Sequence, residues 1–176
     1  YLADAHVPLH TTKNYNGQFT GQKGIHALWE THIPNVSSMQ YDFIVGTSNP
    51  IGDMWRFVWK IIANSHILVE RVLTCEKELS NSMHEDLIYT YVPTKSGTRR
   101  TYQRNYILAY EKSLHGIVKS QMQSAVAALA SFWYTAWVEA GQPDLMQRVD
   151  LHKVGLPTDS IHKKTPSQSV EKGSCR

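Results

Sequence analysis

The sequence predicts an all-α, multi-helix protein, and three observations carry that expectation. Ile51, Trp55, Val58, Ile62, Val69 and Val72 recur at helical spacing, with Ser65 on the same face, which marks an amphipathic helix. Tyr110, Leu114, Val118, Met122, Ala125, Leu129 and Phe132 form a second such stripe. The punctuation agrees: Asn49-Pro50 supplies a cap and a first-turn proline, and Gly141 followed by Pro143 supplies a stop.

Taken in order, residues 1–6 read as the last turns of a helix. Pro8 disfavours helical geometry at Val7, so the chain should turn there. Residues 11–24 are a Gly/Asn-rich loop, and residues 25–33 a short helix closed by Pro34. Residues 35–49 are irregular, with an apolar stretch at 41–45. A helix of roughly 30 residues follows from Asn49-Pro50. Residues 81–100 form a polar connection in which Tyr89, Tyr91 and Val92 can make a short extended piece. A second long helix runs from about Tyr102 to Ala140, kinked at Gly116. After Asp144 the apolar signal fades, and the composition of residues 157–176 predicts disorder. The chain thus divides into a helical domain, 1–144, and a polar tail, 145–176.

Length and composition set further bounds. With 176 residues, 41% hydrophobic and 19% charged, the chain can bury one sizeable core. A net charge of +3 is too small to indicate a nucleic-acid footprint unless the cations cluster in a stripe. Cys75 and Cys175 form neither a CxxC pair nor a disulfide framework. No apolar run reaches the length of a membrane span. The chain opens as if in mid-helix, without Met or a basic leader; the expectation is an excerpt of a longer protein, with any export signal upstream.

The chemistry lies at the front. Asp4-Ala5-His6-Val7-Pro8-Leu9-His10 precedes the loop, and His26-Ala27-Leu28-Trp29-Glu30 follows it. His and carboxylate are ligand types that zinc takes as a Lewis acid. His26 and Glu30 share a helix face at i and i+4, close enough for one metal ion to bridge. His10 lies just past the Pro-broken turn and faces the loop, so it reads as a third ligand. His6, between Ala5 and Val7, reads as a buried histidine bonded to backbone. His32 points off the His26–Glu30 face. His66, His84, His115, His152 and His162 show no ligand spacing. The stripe of Trp133, Tyr134 and Trp137 reads as core rather than as a substrate platform.

The string D-x-H-x-P-L-H, a loop, then H-x-x-x-E resembles the superfamily that joins bacterial zinc-dependent phospholipase C with the fungal and plant single-strand-specific nucleases. The family pattern is H-x-x-x-D-x-H-x-P-L-H, followed by H-x-x-x-D or H-x-x-x-E. The chain looks most like the C-terminal part of a bacterial phospholipase C-like member. The resemblance covers residues 1–34 by motif and extends to about residue 144 by helical layout. It implies an all-α fold, up to three zinc ions in a cleft, and hydrolysis of phosphodiester bonds in phospholipid or single-stranded nucleic acid. It also implies a secreted, periplasmic or cell-envelope setting. Asp4 resembles the aspartate that bridges two zincs; His10, His26 and Glu30 resemble the protein ligands of the remaining one. The family's first His would fall immediately before Tyr1. Its N-terminal Trp and the aspartate usually assigned as base are missing, so this segment alone is expected to be inactive. The competing expectation is a non-catalytic helical binding module with a structural or vestigial zinc.

Overall fold

The computed structural model describes residues 1–95 and 97–146. Two short 3-10 turns, Asp4–His6 and Pro8–Thr11, open the chain. The next helical run comprises α1 (Ile25–Ala27), a π turn (Leu28–His32), α2 (Ile33–Ser37) and a 3-10 turn (Ser38–Gln40). Then come α3 (Met54–Ile67), α4 (Val69–Asn81) and α5 (Glu85–Ile88). A hairpin of β1 (Tyr89–Thr94) and β2 (Gly97–Tyr102) leads to α6 (Arg104–Ser113) and α7 (Ile117–Glu139). The described residues are mostly helical, with one small two-stranded sheet among them. Among the described residues, no helix is long and apolar enough to cross a membrane.

Several sequence expectations about the elements need correction. The fold is not purely α: the polar connection holds an antiparallel hairpin, with register from Tyr89 opposite Tyr102 to Thr94 opposite Gly97. Tyr102 therefore ends a strand rather than starting a helix. The expected 30-residue helix is two helices broken at Leu68, and it starts four residues late. Asp53 is its cap, accepting from the Arg56 amide at 2.9 Å, so the carboxylate supplies what Asn49 was expected to supply. Pro34 does not close the short helix. A proline ring clashes with the carbonyl four residues back in a regular helix, and the wider π turn ahead of it lets the chain continue into α2. Gly116, by contrast, separates α6 from α7 with φ +81°, a left-handed conformation glycine adopts readily. Gly141, at φ +82°, lies just past the end of α7, as expected.

One core organises residues 1–142. Leu9, Ile25, Leu28, Trp29 and Ile33 from the front pack with Val72 of α4, Ile88 of α5, Tyr106, Ile107 and Tyr110 of α6, then Leu114 and Val118. Within it lies a carboxylate without a cation among the described residues: Glu76 accepts from the Tyr106 hydroxyl at 2.7 Å and from the Gln22 amide. These donors satisfy a charge that would otherwise be costly to bury. Burial and the neighbouring Glu76 push the Tyr106 phenol well above its ordinary value. The tail expected at 145–176 lies almost wholly outside the described residues.

The aromatic stripe of α7 is not core. Trp133 is 70% exposed and Tyr134 38%. Trp55 and Trp59 on α3 are exposed as well.

Candidate metal centre

The loop that carries the site is folded by its own amides. Asn14 accepts from the Phe19 amide at 2.8 Å and donates to Thr20 at 3.1 Å. Gln22 reaches out of the loop and donates to the Leu73 carbonyl of α4 at 2.7 Å. The Gly24 amide donates to the Asn16 side chain at 3.0 Å. Gly24 has φ +109°, and a Cβ there would stand 2.9 Å from the Tyr102 hydroxyl. Glycine is therefore required at the entry to α1 for both backbone and space. Two residues later, His26 points back toward the front of the chain.

Val7 takes the extended geometry that a following proline imposes (φ −91°, ψ 111°). The turn that follows carries His10 to meet His26. Their Nε2 atoms lie 3.3 Å apart. His26 Nε2 is 2.7 Å from one Glu30 oxygen, and His10 Nε2 is 3.3 Å from the other. Zinc holds N and O ligands at about 2.0–2.2 Å in a tetrahedron, whose edges are therefore roughly 3.3–3.6 Å. The separation between the two imidazoles matches such an edge, while the two Glu30 separations end on different carboxylate oxygens and are not edges to one ligand atom. The shorter of these two, to His26, is a hydrogen-bond distance that would open by more than half an ångström when a metal replaces the proton. All three side chains are about one-quarter to one-third exposed, at 26–32%, so solvent reaches the remaining side of the cluster.

Support for the two imidazoles is unequal. His10 Nδ1 lies 3.1 Å from the Asp4 carbonyl oxygen. A carbonyl only accepts, so Nδ1 carries the proton and Nε2 keeps its lone pair toward the cluster, as metal-binding histidines generally require. His26 Nδ1 is buried with no hydrogen-bond partner; in a metal complex it would hold a proton without an acceptor. The donor set suits zinc in type and number, its spacing would have to open on binding, and it lacks one supporting contact.

Each sequence-predicted residue can now be placed. His10, His26 and Glu30 come together. The Asp4 carboxylate does not join them: it is 61% exposed and 3.9 Å from His10 Nδ1. The residue serves the cluster through its backbone carbonyl, which side-chain reasoning does not reveal. His6 is buried and bonds the Leu2 carbonyl at 2.9 Å, as a structural histidine should. His32 turns away and packs edge-on against Tyr102. Burial, with Arg99 nearby, holds its pKa below the ordinary value. Sequence reasoning missed Asn16, Gln22 and Tyr102, which hold the loop and the start of α1 in place. The only signal for them was the density of amide side chains in the loop. Beside the cluster runs a groove of about 630 Å³ edged by Asp4 and Glu30 and lined by Val7, Trp29, Phe43 and Met122.

No protein-family model matches this chain, and no curated protein or solved structure matches it either.

Proposed function

We propose that this chain carries a zinc site of a phosphodiester hydrolase, of the phospholipase C and single-strand-specific nuclease type that its front motif resembles. The observation that carries the proposal is the convergence of His10, His26 and Glu30, whose candidate ligand atoms lie within 4.8 Å of one another. A bound zinc would supply Lewis acidity and a water acidified toward neutral pH. The protein's part is to present two imidazoles and one carboxylate, with His10 held in its metal-binding tautomer by the Asp4 carbonyl. Among the described residues no fourth His, Cys, Asp or Glu joins the three. A site with three protein ligands and an exposed side resembles catalytic zinc more than structural zinc. The groove along Trp29 and Phe43, edged by Glu30, gives the apolar part of a substrate a place next to that ligand. Phospholipid or single-stranded nucleic acid as substrate, and a location outside the cytosol, belong to the same proposal by resemblance.

Calorimetric titration with zinc tests it. One saturable site is expected, lost in both His10→Ala and His26→Ala; absence of saturable binding would overturn the proposal. Turnover of a chromogenic phosphodiester by the protein at its natural length then separates the two functional classes. Zinc binding with no turnover would leave the binding module with a structural ion.

A further inference from the structure

His66 has no ligand spacing in the sequence, yet the structure ties it to the turn that carries His10. That turn, Pro8–Thr11, is closed by the Thr11 hydroxyl, which donates to the Pro8 carbonyl at 2.7 Å. A hydroxyl has a single proton, and a carbonyl only accepts. With its proton on Pro8, the Thr11 oxygen accepts from the His66 ring, whose Nδ1 stands 3.0 Å away. His66 therefore carries its proton on Nδ1, and Thr11 is held from two sides. The preceding residue of α3 grips the other turn. Ser65 is 1% exposed and donates to the Ala5 carbonyl at 2.7 Å, within the turn Asp4–His6. Gln121 of α7 in turn donates to the Ser65 oxygen at 3.3 Å. Successive helix residues point about 100° apart, so Ser65 and His66 both reach the front only because its two turns lie across the end of α3.

The His10 ring depends on both turns. One contains His10 itself, beside Thr11. The other supplies the Asp4 carbonyl that stands 3.1 Å from His10 Nδ1. A 3-10 turn is short and its hydrogen bonds are poorly aligned, so its direction is set by whatever grips it from outside. We infer that His66 is a positioning residue for the metal cluster: through Thr11 it fixes the direction in which His10 presents Nε2. His66 is not itself one of the converging ligands, which are His10, His26 and Glu30. Its effect on metal affinity rests on the zinc reading of that cluster, whereas the clasp on Thr11 exists without metal. Ser65 does the same for the Asp4 carbonyl from the buried side, so the last turn of α3 is the wall against which the site is set.

Measurements on the full chain, first without metal and then with it, test the inference. In chelator-treated protein above neutral pH, imidazole nitrogen resonances should show His66 protonated at Nδ1. The His10 resonances should move in His66→Leu. They should stay near their parent positions in His66→Asn, whose side-chain N–H stands in for Nδ1–H. Zinc is then titrated against a chromophoric chelator. His66→Leu should weaken binding about tenfold or more, the usual loss when a group that orients a ligand is removed. His66→Asn should stay within about twofold of the parent. Thr11→Val deletes the hydroxyl at nearly constant shape and should match His66→Leu. Combining the two should add less than about another twofold, because both break the same bond. Cobalt bound in place of zinc should change its visible absorption in His66→Leu and regain it in His66→Asn; a histidine that only stabilises the fold would move neither. If the parent binds no zinc, the proposed function falls and the His10 resonances alone decide this inference. Resonances of His10 indifferent to His66→Leu, equal losses in the Leu and Asn variants, or full additivity with Thr11→Val would each overturn it.

Discussion

Two stretches of one periodic stripe behave in opposite ways. Tyr110, Leu114 and Val118 are at most 2% exposed, locked against the front of the chain and α4. Further along α7 the same spacing brings Leu129, 41% exposed, with Trp133 beyond it at 70%. On α3, Val58 and Ile62 are half-buried while Trp55 is 78% exposed. Helical periodicity states which residues share a face. It does not state whether anything covers that face, because cover comes from segments distant in sequence. Here the cover is the front of the chain, residues 1–37, which packs on α4, α6, the first turns of α7 and the C-terminal half of α3, where Ser65 bonds the Ala5 carbonyl at 2.7 Å, and which leaves Trp55, Trp59 and Trp133 exposed.

The largest test of this contrast pairs one substitution from each region. Leu28→Ala removes a fully buried side chain and should cost about 2–5 kcal/mol of stability. Trp59→Ser, at a position 63% exposed, should cost less than about 0.5 kcal/mol. Denaturant melts of both variants decide the matter. A large loss at Trp59 would mean that the face is covered in solution.

A second, smaller effect lies in the buried polar network. Tyr106→Phe removes the hydroxyl that bonds Glu76 at 2.7 Å. The carboxylate would be left with Gln22 alone, at a cost of about 1–3 kcal/mol. A melt within about 0.3 kcal/mol of the parent would show that water replaces the hydroxyl. Next comes Gly24→Ala. It imposes a left-handed conformation on alanine, worth about 1–2 kcal/mol, and sets a methyl against the Tyr102 hydroxyl. Because Gly24 opens the helix that carries His26 and Glu30, zinc affinity should fall along with stability. Unchanged calorimetric binding would show that the cluster tolerates a shift of α1.

How much of this was legible beforehand follows from the range of each interaction. The His26–Glu30 pair is a local i, i+4 relation, and Pro8 enforces the turn at Val7, so both could be read directly. His10 could be chosen over His6 because the turn separates their directions. The Asp4 carbonyl could not be foreseen as the support of His10, since backbone groups leave no trace in residue identity. The hairpin was half visible: β1 has Tyr89, Tyr91 and Val92, while β2 is Gly-Thr-Arg-Arg-Thr-Tyr, whose apolar content is too low to show a strand period. The break at Leu68 has no proline or glycine to announce it, and the structure offers no local reason for it. The π turn was hidden because Pro34 is an ordinary stop signal until the preceding turn is known to be wide.

The smallest predicted effect concerns His32, which stands where the buried front meets the exposed hairpin. Its imidazole packs on Tyr102 with Arg99 nearby, and desolvation, then that positive charge, lowers its pKa from 6.5. The folded protein therefore resists protonating His32 more than the unfolded chain does. The sign follows: the contribution to stability is complete above pH 6.5 and is lost as pH falls from there toward the depressed folded value. Thermal midpoints measured downward from neutral pH should fall more in the parent than in His32→Gln. Arg99→Ala should recover part of the difference by removing the second cause. The ring is partly exposed, so the effect should be modest. Equal pH dependence in parent and His32→Gln would show that solvent reaches the ring and that the hairpin does not close over this end of the helical run that carries His26 and Glu30.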